Sequence, residues 1–179
     1  KLEVDKDVVK DYLVKLDEIL EKQIKGLDKE LKELSPLDDE INPNSTIDLG
    51  KVLFSDEGFG ATPTEFSKKT KKPAITEEHL QKIKTKSSDA ALTKFIETLL
   101  TYKSKTKQHR TYVKGVESAI EWNEDGRIYS SYNFAATVTG RLSCSLYSAG
   151  ASMRKGVSFH TLPRPSDDDV NIRRLMIAD

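Results

Sequence analysis

The stretch NFAATVTGRLSCS, residues 133–145, holds one charged side chain, Arg141, directly after Gly140. Ala, Thr and Gly leave little side chain in the way, so a bulky partner can come close to the backbone here. An arginine in that setting can fork two hydrogen bonds onto a base edge or a phosphate. A bulge arginine paired with a local carboxylate has the same composition, and both readings stand on the residues alone. A second basic feature is the run YKSKTKQHRTYVK, Tyr102–Lys114, which holds Lys103, Lys105, Lys107, Arg110 and Lys114 and no acid. A localised basic stripe is the footprint of a polyanion, most often nucleic acid, although a solvated helix face looks the same in composition.

Other chemistries find less support. No Ser/His/Asp or Cys/His pairing is suggested by spacing; His79 falls at a helix start, and His109 lies in the basic run, where it could face a phosphate at most. The GFG at 58–60 lacks the preceding strand and the glycine spacing of a dinucleotide loop. Asp167, Asp168 and Asp169 are consecutive, in a Pro/Ser-rich setting, and cannot all turn to one ion. The single cysteine, Cys144, excludes an internal disulfide and points to a reducing, cytoplasmic setting. No apolar run is long enough to span a bilayer, and the opening KLEVDKDVV does not resemble a signal peptide. The first residue is Lys1 rather than Met, as expected for a piece of a longer protein.

The formal net charge of zero hides an asymmetry: residues 1–60 carry 9 Lys and Arg against 16 Asp and Glu, and residues 61–179 carry 20 against 13. In the acidic part, Val9, Leu13, Leu16, Leu20, Ile24, Leu27, Leu31 and Leu34 recur in steps of three and four. That is the apolar stripe of one long helix, ended by Ser35-Pro36, and it needs a partner helix. Asn42-Pro43-Asn44 reads as a turn, with Ser45 or Thr46 capping a short helix through Phe54. Residues 58–73 read as a surface loop. Thr76 followed by Glu77 and Glu78 starts another helix. Ser87, Ser88 and Asp89 cap a second long one, whose face of Leu92, Phe95, Ile96, Leu99 and Leu100 is the natural partner for the first stripe. Its far end carries the basic run. Beyond Trp122 the period changes: Asn123–Gly126 reads as a turn, Arg127–Phe134 alternates as a strand does, and Val157–Leu162 is a second strand-like run. The fold class is therefore α+β: a long helical hairpin over 1–115, then a region over 116–179 with short antiparallel strands.

Thr137–Ser143, TVTGRLS, resembles the T-x-T-G-R-L-S signature of family A DNA polymerases, the bacterial polymerase I and phage type. The resemblance extends upstream through DGRIYSSYNFAA and includes the family's Lys-x-x-x-T-Y element at Lys107, Thr111 and Tyr112. Asn44–Phe54 with Thr76–Ile83 is similar to a thumb stretch of the family, and FHTLPRPSDDDVNIRRLMIAD to its L-Q-N-[IL]-P…R-x-I-R-x-x-F-x-A run. The match runs along essentially the whole chain in the right order.

The resemblance implies that residues 1–115 form a thumb and 116–179 the first part of a palm in a DNA-templated DNA polymerase. Arg141, with Thr139 beside it in the motif, would lie in the minor groove near the primer terminus, where acceptors common to all base pairs report pair geometry without sequence. Lys107, Thr111 and Tyr112 would sit where the thumb meets the duplex backbone, with Arg110 of the basic run alongside. His160 stands where the family usually has a glutamine touching the template-side minor groove, and Arg173 and Arg174 match a basic pair near the duplex. The chain departs from the family in a longer loop, Cys144–Ser158, which adds Arg154 and Lys155 near the DNA. The two aspartates that hold Mg2+ and the finger helix that binds deoxynucleoside triphosphates are expected beyond Asp179, in this polypeptide or in a second chain. On this reading residues 1–179 contain no catalytic or metal-binding residue and act on primer-template DNA, with no membrane role. The alternative is a stand-alone DNA-binding module derived from a polymerase, without catalysis.

Overall fold

A computed structural model describes residues 6–37, 41–67, 71–123, 128–133, 142–145, 158, 162, 171 and 173. The described elements are helices α1 (Lys6–Leu34), α2 (Thr46–Phe54), α3 (Glu77–Lys86) and α4 (Ala90–Lys107), a π-helical segment (Gln108–Val113), α5 (Lys114–Trp122), and strands β1 (Ser131–Asn133) and β2 (Ser143–Ser145). Helices dominate. The strands form one antiparallel ladder, with Ser131 opposite Ser145 and Asn133 opposite Ser143. Cys144 and Ser145, expected to open the longer loop Cys144–Ser158, belong to β2. The run Val157–Leu162, expected as a strand, lies outside the described residues except for Ser158 and Leu162.

The chain forms two compact units, one of residues 1–22 with 106–179 and the other of residues 23–105. These packing units follow a different division from the 115/116 boundary expected from the sequence.

In the 23–105 unit, local chemistry sets each helix start. Asn42 Oδ1 accepts the Asn44 N–H at 2.9 Å, closing the turn, and Ser45 Oγ accepts the Asp48 N–H at 3.2 Å as the N-cap of α2. Thr76 caps α3. Asp89 Oδ1 accepts the Ala91 N–H at 2.8 Å and starts α4. Phe95 is fully buried and meets the ring of Phe59 with centroids 5.3 Å apart. Leu31 of α1 joins the same core as Leu49, Leu53, Leu80 and Leu99. The 58–73 stretch, expected as surface, thus contributes to the core through Phe59. Its backbone is pinned as well: Phe59 and Ala61 donate to the carbonyls of Val52 and Leu53, each at 2.8 Å. Gly58 is required there, since a Cβ would collide with the carbonyl oxygens of Val52 and Lys51.

In the other unit, Leu13, Leu16 and Leu20 of α1 pack against Tyr112, Val113, Val116 and Ile120. Leu162 enters this core, and Tyr12 Oη donates to the Asn171 carbonyl at 3.1 Å, which ties the far end of the chain to α1. The helical run Ala90–Trp122 is not α-helical throughout. Six residues, Gln108–Val113, widen into a π-helix.

Candidate nucleic-acid interface

The cations of the basic run have different surroundings. Lys103 is half-buried in the 23–105 unit, with Nζ 3.5 Å from the Ile75 carbonyl oxygen, and that burial pushes its ammonium pKa down. Lys105 is buried, only 8% exposed. In the other unit, Lys114 Nζ is held by Asp17 at 2.9 Å and Glu117 at 3.1 Å. Those bonds, Asp17's first, raise its pKa over a smaller desolvation cost. Lys107 and Arg110 remain, exposed and without an ion pair among the described residues, with Thr111 exposed beside them. The uniform stripe expected from composition is corrected to a patch of two cations and a hydroxyl.

Tyr112 and His109 turn inward. Tyr112 is 4% exposed and belongs to the α1–α5 core, so it supports the patch from beneath rather than offering its ring to a partner at the surface. His109, expected to face a phosphate, places Nε2 2.6 Å from Asp17 Oδ1. Partial burial of Asp17 favours its neutral form, but the hydrogen bonds from Lys114 and His109 outweigh that and leave its pKa lowered. Sequence reading gave no role to Asp17. It follows Leu16 of the apolar stripe and reads only as a helix-flank acid.

Arg173 is exposed; its backbone N–H donates to Asn171 Oδ1 at 3.2 Å and its guanidinium Nη2 to the Leu162 carbonyl at 3.3 Å. At least one of its five donors therefore holds the chain's own backbone. Thr139, Arg141, Arg154, Lys155, His160 and Arg174 lie outside the described residues. In the chain, residues 134–142 join β1 to β2, so Thr139 and Arg141 fall in the connection between two paired strands.

A family model described as DNA polymerase family A matches residues 10–148. The chain belongs to DNA polymerase family A. The match takes in α1, the basic run, the π-helical segment and the TVTGRLS motif. Among solved structures, the POL domain of Pol1 from M. smegmatis, in complex with DNA primer-template and dNTP, is similar over 97% of this chain, with 24% identity and a TM-score of 0.65. This family A chain spans 25% of the length of that protein chain, and the likeness at this identity is one of fold. No curated protein gives a significant match.

Family A polymerases generally use divalent metal ions. Among the described residues, Asp17, Glu21 and His109 bring one ligand atom each within 4.8 Å of the others. They do not suit Mg2+, which takes oxygen ligands in octahedral array. Both Asp17 oxygens are engaged, Oδ1 by the His109 imidazole and Oδ2 by the Lys114 ammonium. Asp17 instead links α1 to His109 of the π-helical segment and to Lys114 of α5.

Proposed function

We propose that residues 1–179 are the thumb and first palm segment of a DNA-templated DNA polymerase and grip primer-template DNA. In this reading residues 1–115 supply the thumb-like part. Residues 116–179 begin the palm, with the β1–β2 ladder among its short antiparallel strands. The observation that carries the reading is the family match over 10–148, which spans both the motif around Arg141 and the patch around Arg110.

The physical roles follow from residue chemistry. Lys107 and Arg110 neutralise backbone phosphates and release counterions, and Thr111 donates a hydroxyl to a phosphate oxygen. Arg141 reaches the minor-groove edge at the primer terminus, with Thr139 beside it; the acceptors there are shared by all base pairs, so the contact tests pair geometry. His160, Arg154, Lys155 and Arg173 add contacts along the duplex. The Mg2+ ions and the deoxynucleoside triphosphate are assigned to carboxylates and a finger helix outside residues 1–179, and the protein works in the cytoplasm of a bacterial cell or phage-infected host.

The test is Arg141→Ala in the full-length protein, with primer-template affinity and single-turnover extension measured side by side. Affinity should fall by about 1–3 kcal/mol, with extension slowed and the melting temperature nearly unchanged. An unaltered extension rate removes Arg141 from the interface. DNA binding without any extension by the wild-type protein would favour a DNA-binding module that has lost its catalysis.

A further inference from the structure

We infer that Asp17 is a positioning residue for the DNA-facing patch, acting as a clasp that closes both ends of the π-helical segment. The inference rests on the proposed role of Lys107, Arg110 and Thr111. Asp17 spends its two oxygens on two different residues: Oδ1 receives His109 Nε2 at 2.6 Å, and Oδ2 receives Lys114 Nζ at 2.9 Å. His109 is the second residue of the π-helical segment and Lys114 the first residue after it. One carboxylate on α1 thereby spans the segment from end to end.

The six residues between and around these bonds divide by direction. Tyr112 and Val113 are buried against Leu13, Leu16 and Leu20, whereas Arg110 and Thr111 are exposed. A π-helix adds a residue to the turn and is intrinsically less favourable than the α-helix, so it persists where surrounding contacts over-determine it. Here the buried pair fixes it from beneath and the Asp17 clasp fixes its ends. Relaxation to an α-helix would rotate every following residue by roughly 100°. Arg110 and Thr111 would then point in a new direction relative to Lys107 and to the core that Tyr112 and Val113 enter.

The sign of the effect separates this role from simple charge. Asp17→Asn removes a negative charge near a site for DNA, and electrostatics alone would tighten binding. Loss of the clasp weakens it. The experiment measures primer-template affinity of the full-length protein with Asp17→Asn, Lys107→Ala/Arg110→Ala, and the three substitutions combined, at a temperature where circular dichroism shows each folded. The expected result is roughly three- to tenfold weaker binding for Asp17→Asn, and no further loss when it is added to the Lys107/Arg110 pair. His109→Asn, which opens one arm and leaves the Lys114 bond, should give a smaller loss of the same sign and covers the case of an unstable Asp17 variant. Unchanged or tighter binding, or an equal loss in both backgrounds, overturns the positioning role. If the Lys107/Arg110 pair alone leaves affinity untouched while Arg141→Ala lowers it, the patch is not at the DNA and the inference falls without the polymerase reading.

Discussion

The contrast between the exposed and inward-turned cations of the basic run gives a quantitative prediction. Lys107 and Arg110 are exposed and have no ion pair among the described residues, and Lys103, in the same run, is half-buried with its ammonium toward the Ile75 carbonyl. Each phosphate contact removed lowers the slope of log K against log salt by about 0.9 for duplex DNA. Over a fourfold rise in salt that is about 3.5-fold in affinity per cation and about 12-fold for the two together. Primer-template affinity, followed by fluorescence anisotropy from about 50 to 200 mM salt, should therefore decline about 12-fold less for Lys107→Ala/Arg110→Ala than for the wild type. Lys103→Met keeps most of the side-chain volume and should leave the slope unchanged. A wild-type slope in the double variant would place both cations away from phosphate. An equal slope change from Lys103→Met would show that position in the run, rather than the direction each side chain takes, governs binding.

Three further outcomes concern the scaffold. Phe95→Ala should cost about 3–5 kcal/mol in urea unfolding, because the ring is fully buried against Phe59; a loss below about 1 kcal/mol would mean that the cavity collapses freely. Gly58→Ala should destabilise by more than about 1 kcal/mol, since the added methyl meets the Val52 carbonyl, and a neutral result would show that the turn shifts aside. Glu65 receives Lys82 Nζ at 2.8 Å and has His79 Nε2 at 2.6 Å, and with Lys82's bond the larger cause its pKa is held at about 2 against an ordinary 4.5. A depressed carboxylate stabilises the fold fully above its unfolded value and loses that contribution as pH falls through the folded one. The melting temperature should therefore drop between pH 4.5 and about 2, and Glu65→Gln should flatten that drop; a parallel profile in the variant would exclude Glu65 as a source.

Much of the helical architecture was legible because local chemistry carries it. Ser45, Thr76 and Asp89 mark helix starts by satisfying backbone N–H groups, and Leu13, Leu16, Leu20 and Leu31 mark a buried face by their spacing. The π-helical segment left no such mark, because its extra residue per turn is fixed by contacts with α1 that lie about ninety residues away in sequence. Composition could not tell Lys105, buried, from Lys107, exposed, two positions on. Nor could it tell that Tyr112 and His109 turn inward. The family motif around Arg141 was readable as a string, whereas the acid that clasps the patch, Asp17, looked like any flank residue of a charged helix.

The discontinuous unit, residues 1–22 with 106–179, has a consequence for how the protein is made. Leu13, Leu16 and Leu20 leave the ribosome before their partners Tyr112, Val113 and Val116, which follow about ninety residues later. At ordinary synthesis rates that gap lasts about 5–20 s, long enough for the intervening residues 23–105 to fold around Phe95 on their own. Throughout that interval the first leucines of α1 stand uncovered in the nascent chain.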